Sequence, residues 1–156
     1  MYVRILTVAR FSGLTVLLFA SLVAPILGWS YESSPQERDA AAATFVVQKL
    51  QTWQDRMNLK NWDIRVQLLK ASQLEPKTLG NIHWDTDLKT ATISVLSPED
   101  YKLPYKAMLD DMEFTIVHEL VHLELASLPR SEASRRVEEH AVNEIATALL
   151  KLARQQ

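Results

Sequence analysis

Apolar and polar residues alternate along this chain with two different periods, and the changes of period mark out its elements. From residue 36 to 57 (QERDAAAATFVVQKLQTWQDRM) the positions Phe45, Val46, Lys49, Leu50, Trp53 and Met57 recur at helical spacing among good helix formers, which predicts a helix. The run from Trp62 to Leu68 alternates apolar with polar, the period of a half-buried strand. Two further extended runs, 79–85 (LGNIHWD) and 89–96 (KTATISVL), flank Thr86-Asp87-Leu88 and predict a hairpin. Pro98 and Pro104 bound a loop that holds Tyr101 and is followed by Tyr105. Asp110 or Asp111 is placed to cap a helix reaching Ser127, with Phe114, Val117, Val121 and Leu125 as its apolar stripe. Pro129 then interrupts the chain, and a final helix over 131–154 carries Val142, Ile145, Ala146 and Leu149. Helix, three strands, helix, helix is an α+β order, with helices packed on one side of a small three-stranded sheet.

Residues 1–30 differ in kind. Arg4 and Arg10 lie in the first ten residues, no acid precedes Glu32, and residues 11–29 (FSGLTVLLFASLVAPILGW) are uncharged and mostly apolar. A basic start followed by an apolar core is the pattern of a signal peptide, and Gly28 and Ser30 offer small residues for a cut before Tyr31. The run also approaches the ~20 residues that cross a bilayer, so an uncleaved membrane anchor is the alternative. In both cases the two arginines hold the N-terminus inside and send the rest outward, into a periplasmic, secreted or outward-facing anchored location. A start codon assigned too far upstream would leave a cytoplasmic protein. The expected organisation is therefore 1–30 as signal or anchor and 31–156 as one folded domain.

Composition narrows the chemistry. With 47% hydrophobic and 23% charged residues the chain suits a globular domain. Without Arg4 and Arg10, residues 31–156 hold 15 basic against 19 acidic side chains. That balance provides no basic field for nucleic acid, and a membrane partner is expected only through residues 11–29. The absence of Cys excludes disulfides, thiolate metal sites and cysteine nucleophiles. A metal site must come from His, Asp and Glu, and the four histidines are His83, His118, His122 and His140.

Two of them stand in His118-Glu119-Leu120-Val121-His122, the HExxH pattern. Residues four apart on a helix share a face, so both imidazoles can meet one Zn²⁺. Glu119 projects about 100° round from His118, beside the metal, where it can accept a proton from the attacking water. A hydrolytic zinc site needs a third protein ligand. From His122 to Pro129 a helix climbs about 10 Å at 1.5 Å per residue, so an antiparallel return regains the level of the metal near Glu138, Glu139 or His140. Glu139 shares a face with Val142 and Ala146, and Glu138 with Val142 and Ile145. The helical wheel does not separate the two, while His140 falls off the stripe. The carboxylate that is not a ligand would complement the positive end of the helix dipole.

The HExxH followed by Glu138-Glu139-x-x-Val142-Asn143-x-x-Ala146 resembles the SprT-like and minigluzincin class of small zinc metallopeptidases. Trp53 through Leu69 is similar to the helix-then-strand opening of small phage and bacterial proteins of this kind. The resemblance spans roughly residues 45–150. It implies a zincin-like fold and a Zn²⁺ held by His118, His122 and a Glu of the following helix. A Glu-x-x-x-Asn-x-x-Ala alignment on Asn143 and Ala146 makes that Glu139, with Glu138 the alternative. It also implies Glu119 as catalytic base and a peptide or protein substrate. The competing function is a catalytically silent, zinc-stabilised binding or scaffold domain, which has no need of Glu119.

Other residues carry weaker signals. His83 on a strand could help hold a substrate backbone or simply be solvated. Tyr101 and Tyr105 could donate to a developing oxyanion or anchor their loop. Trp53, Trp62 and Trp84 are expected in the core, and Glu113 and Glu124 on the solvent side of their helix or in helix-surface pairs.

Overall fold

A computed structural model of the chain describes residues 34–129 and 131–155. The segment 1–30, with its expected export or anchoring role, lies outside them. Over the described residues the architecture is α+β, three α-helices with a small mixed sheet.

Helix α1 spans Pro35–Arg56. Its start is fixed by a capping box in which the Ser34 hydroxyl accepts from the Glu37 N–H and the Glu37 carboxylate accepts from the Ser34 N–H, with Pro35 at the first helical position. Ala42, Val46, Leu50 and Trp53 form its buried stripe. The helix ends at Met57, and Asn58 turns the chain in the left-handed region (φ 56°).

Strands β1 (Asp63–Leu69), β2 (Gly80–Asp85) and β3 (Thr90–Leu96) follow the alternating runs of the sequence. The last two form the expected hairpin, whose turn is held by Asp85 Oδ1 accepting from the Asp87 and Leu88 N–H groups. The order is β1-β3-β2, so β3 is inserted between its predecessors, parallel to β1 and antiparallel to β2. Register sets Ile64, Ala91 and Trp84 in one row and Val66, Ile93 and Ile82 in the next, all in or against the core. The opposite face carries the polar rows Arg65–Thr92–His83 and Gln67–Ser94–Asn81.

Helix α2 spans Tyr105–Glu124 and begins five residues before Asp110. Pro104, with φ −55°, is its N-cap, and Lys106, Ala107, Met108 and Leu109 are good helix formers that extend the helix backward. Asp110 and Asp111 are therefore interior to the helix and cap nothing. Asp110 takes Lys106 and Arg154, and Asp111 accepts the Tyr101 hydroxyl. Met112, Ile116, Val117, Leu120, Val121 and Leu123 are all buried because α2 touches α1, β2, β3 and the last helix.

That last helix, α3, spans Glu132–Ala153 and returns antiparallel to α2. Its buried positions are Val142, Ala146 and Leu150, whereas Ile145, expected on that stripe, is exposed. Trp53 and Trp62 lie in the core and Trp84 packs against it. Glu113 departs from expectation. It is buried, accepts the Trp53 indole N–H at 2.9 Å and pairs with Lys49 at 2.9 Å. Glu124 is exposed, as expected. No helix among the described residues is long and apolar enough to cross a membrane.

Candidate metal centre

The two histidines of the HExxH sit one turn apart on the buried central helix. Their rings meet edge to face at 4.8 Å between centroids, with the Nε2 atoms 3.1 Å apart. Because α3 runs back along α2, it returns Glu138, Glu139 and Asn143 to this level. Glu139 reaches both rings, with Oε2 3.4 Å from His118 Nε2 and Oε1 3.2 Å from His122 Nε2. Ligand atoms of His118, His122 and Glu139 all fall within 4.8 Å of one another, a group that could hold a metal ion.

The remaining ring nitrogens are also engaged. His118 Nδ1 lies 3.2 Å from Asn143 Oδ1, and His122 Nδ1 lies 3.1 Å from Glu138 Oε1. Both oxygens can accept from a protonated Nδ1, and in that tautomer each Nε2 lone pair is free for a metal on the Glu139 side. The two adjacent glutamates thus divide the work. Glu138 is mostly buried (side chain 16% exposed) and holds a ring from behind, while Glu139 (49%) presents its carboxylate to the shared space. Burial favours a neutral His118 and His122 opposes its charge further, against the weaker pull of Glu139 and Asn143, so its pKa lies below the ordinary range. A neutral imidazole is the form that binds metal. The donor set is two imidazoles and one carboxylate, which suits Zn²⁺ in chemistry and number.

Glu119 is buried and lines the same cleft of about 610 Å³. Burial, with the Glu139 carboxylate adding, pushes its pKa up to about 8. A cation held beside it would oppose that shift. The facing wall is β2, an edge strand, from Gly80 to Trp84. Gly80 lets the strand come this close. A Cβ there would meet the Thr115 methyl, lie 2.7 Å from the Ser94 carbonyl oxygen and 3.6 Å from Glu119 Oε1. The sequence reading assigned Gly80 no role, although its being the single Gly after residue 30 was a usable signal.

His83 is exposed and lines the cleft from β2, while His140 is exposed and outside the three-residue group. The Tyr101 hydroxyl donates to Asp111 Oδ2 at 3.0 Å and that of Tyr105 to the Arg38 carbonyl at 3.4 Å. Both contacts tie the proline-bounded loop and the start of α2 to their neighbours. Comparison of the chain with known protein families, characterised proteins and solved structures finds no match in any of the three.

Proposed function

We propose that this chain is a zinc-dependent metallopeptidase, a hydrolase of zincin-like fold resembling the SprT-like and minigluzincin class. The observation that carries the reading is the Glu139 carboxylate set against the Nε2 atoms of both HExxH histidines, with Glu119 in the same cleft. His118, His122 and Glu139 would hold the metal, and Glu138 and Asn143 keep the imidazoles in the binding tautomer. A bound Zn²⁺ would supply Lewis-acid polarisation of the scissile carbonyl and a lowered pKa for the attacking water. Glu119 accepts the proton of that water and passes it to the leaving amine. The outer edge of β2 offers backbone N–H and C=O groups to an extended peptide. Export or anchoring through residues 1–30 belongs to the same proposal, and a fusion of that segment to a reporter active only outside the cytoplasm tests it.

Three proteins test the activity: wild type, His118→Ala/His122→Ala, and Glu119→Gln. Elemental analysis is expected to find about one Zn²⁺ per chain in wild type and Glu119→Gln, and none in the double variant. Hydrolysis of an unfolded protein or peptide panel is expected to fall by about 10²–10⁴ in Glu119→Gln. Zinc in wild type without any cleavage supports the silent scaffold instead. Cleavage by Glu119→Gln at the wild-type rate removes Glu119 from the mechanism.

A further inference from the structure

Helix α3 carries a second apolar face that stays exposed among the described residues. Val142, Ala146 and Leu150 are buried, and the one extensive packing contact of α3 among the described residues is with α2. Val137, Ala141, Ile145, Ala148 and Leu152 lie on a different arc, about 80° wide at 100° per residue. Val137, Ile145 and Leu152 are 70%, 42% and 60% exposed. Their spacing of four, four, three and four residues follows the ~3.6-residue helical period, so they form one continuous stripe. Glu144 and Lys151, both exposed, flank this arc on the same side.

We propose that α3 pairs antiparallel with α3 of a second copy of the chain. A two-fold axis between Ala146 and Thr147 sets Ala141 against Leu152 and Ile145 against Ala148, so each large side chain meets a small one. The same axis brings Glu144 of one copy beside Lys151 of the other, twice by symmetry. A parallel pairing stacks Leu152 on Leu152, leaves alanine opposite alanine, and brings neither charge to the other. An anionic bilayer suits the face less well, since Glu144 and His140 border it and Arg154 is already held by Asp110. One helix pair is a small interface, so the dimer depends on concentration.

The chain has no cysteine, which makes the test direct. In the full-length protein, Ala148→Cys places the sole thiol near the proposed axis, and Asp87→Cys places it in the exposed β2–β3 turn as control. A short bis-maleimide is expected to trap a covalent dimer through position 148 and not through position 87. Adding Glu144→Lys sets like charges against each other twice and is expected to reduce the trapped dimer about tenfold. Adding Lys151→Glu to that protein restores opposite charges and the dimer. Three results overturn the proposal: equal trapping at 148 and 87, no effect of Glu144→Lys, or no rescue by the second reversal. A thiol at 148 that neither cross-links nor reacts with a water-soluble maleimide also overturns it, by showing the seam covered by a bilayer or by the chain's own residues 11–29.

Discussion

Glu138 Oε1 lies 3.1 Å from Nδ1 of His122, at the opposite nitrogen from the one that faces Glu139. The pair explains why two glutamates stand together at this point of α3. Successive residues project about 100° apart, so neighbours can address the two nitrogens of one ring. Glu138→Ala is expected to weaken zinc affinity about 10–100-fold through the loss of this support. Glu138→Gln keeps an acceptor and is expected to fall between it and wild type. Glu139→Gln is expected to cost more than either, because it alters a donor. Titration against a competing chelator ranks them, and wild-type affinity in Glu138→Ala would show that His122 needs no orienting partner.

At Gly80 strand β2 runs close against α2, beside Thr115 and Glu119. Gly80→Ala is expected to destabilise the fold by about 1–3 kcal/mol, as overpacking does. Combining it with Thr115→Ser should recover part of the loss, because the clash with the Ser94 carbonyl is with backbone and stays. Urea denaturation of the three proteins measures this. Full recovery would locate the whole strain at Thr115.

The buried Glu113 joins α1 to α2 through Trp53 and Lys49. Removing it in Glu113→Ala leaves the indole N–H without its acceptor, an expected cost of about 1–3 kcal/mol. Glu113→Gln retains an acceptor and is expected to lose less. A drop of similar size in both would assign the effect to the charge facing Lys49 and not to the indole bond.

Asp110 supplies the pH dependence that can be read from the surface. The Lys106 ammonium that donates to it holds its carboxyl below the ordinary range, with Lys106, Arg154 and Lys49 charges adding and slight burial opposing. A lowered folded-state pKa contributes stability above the unfolded value of about 3.9, lost as pH falls through the folded one. Asp110→Asn is therefore expected to be less stable than wild type at neutral pH and equal to it at strongly acid pH. The difference is small, under about 1 kcal/mol, because the pairs are exposed and screened. Denaturation at both pH values, repeated in high salt, checks the sign.

The helices, the strands and the hairpin were legible in the sequence because each follows from a local period or a local turn. The same locality made the His118–Glu119–His122 arrangement readable, since four residues of helix bring two side chains together in any fold. Where the first turn of α2 falls was read wrongly, because an interior Asp can satisfy itself with Lys106 and Arg154 as well as it can cap. The choice between Glu138 and Glu139 was not open to the helical wheel. It depends on how far α3 is rotated and shifted against α2, which the packing of Val142, Ala146 and Leu150 sets. The insertion of β3 between β1 and β2, the burial of Glu113 and the need for Gly80 likewise arise only when distant segments meet. Periodicity specifies what a segment can present. Which atoms it then faces is decided by packing between segments that the local pattern does not connect.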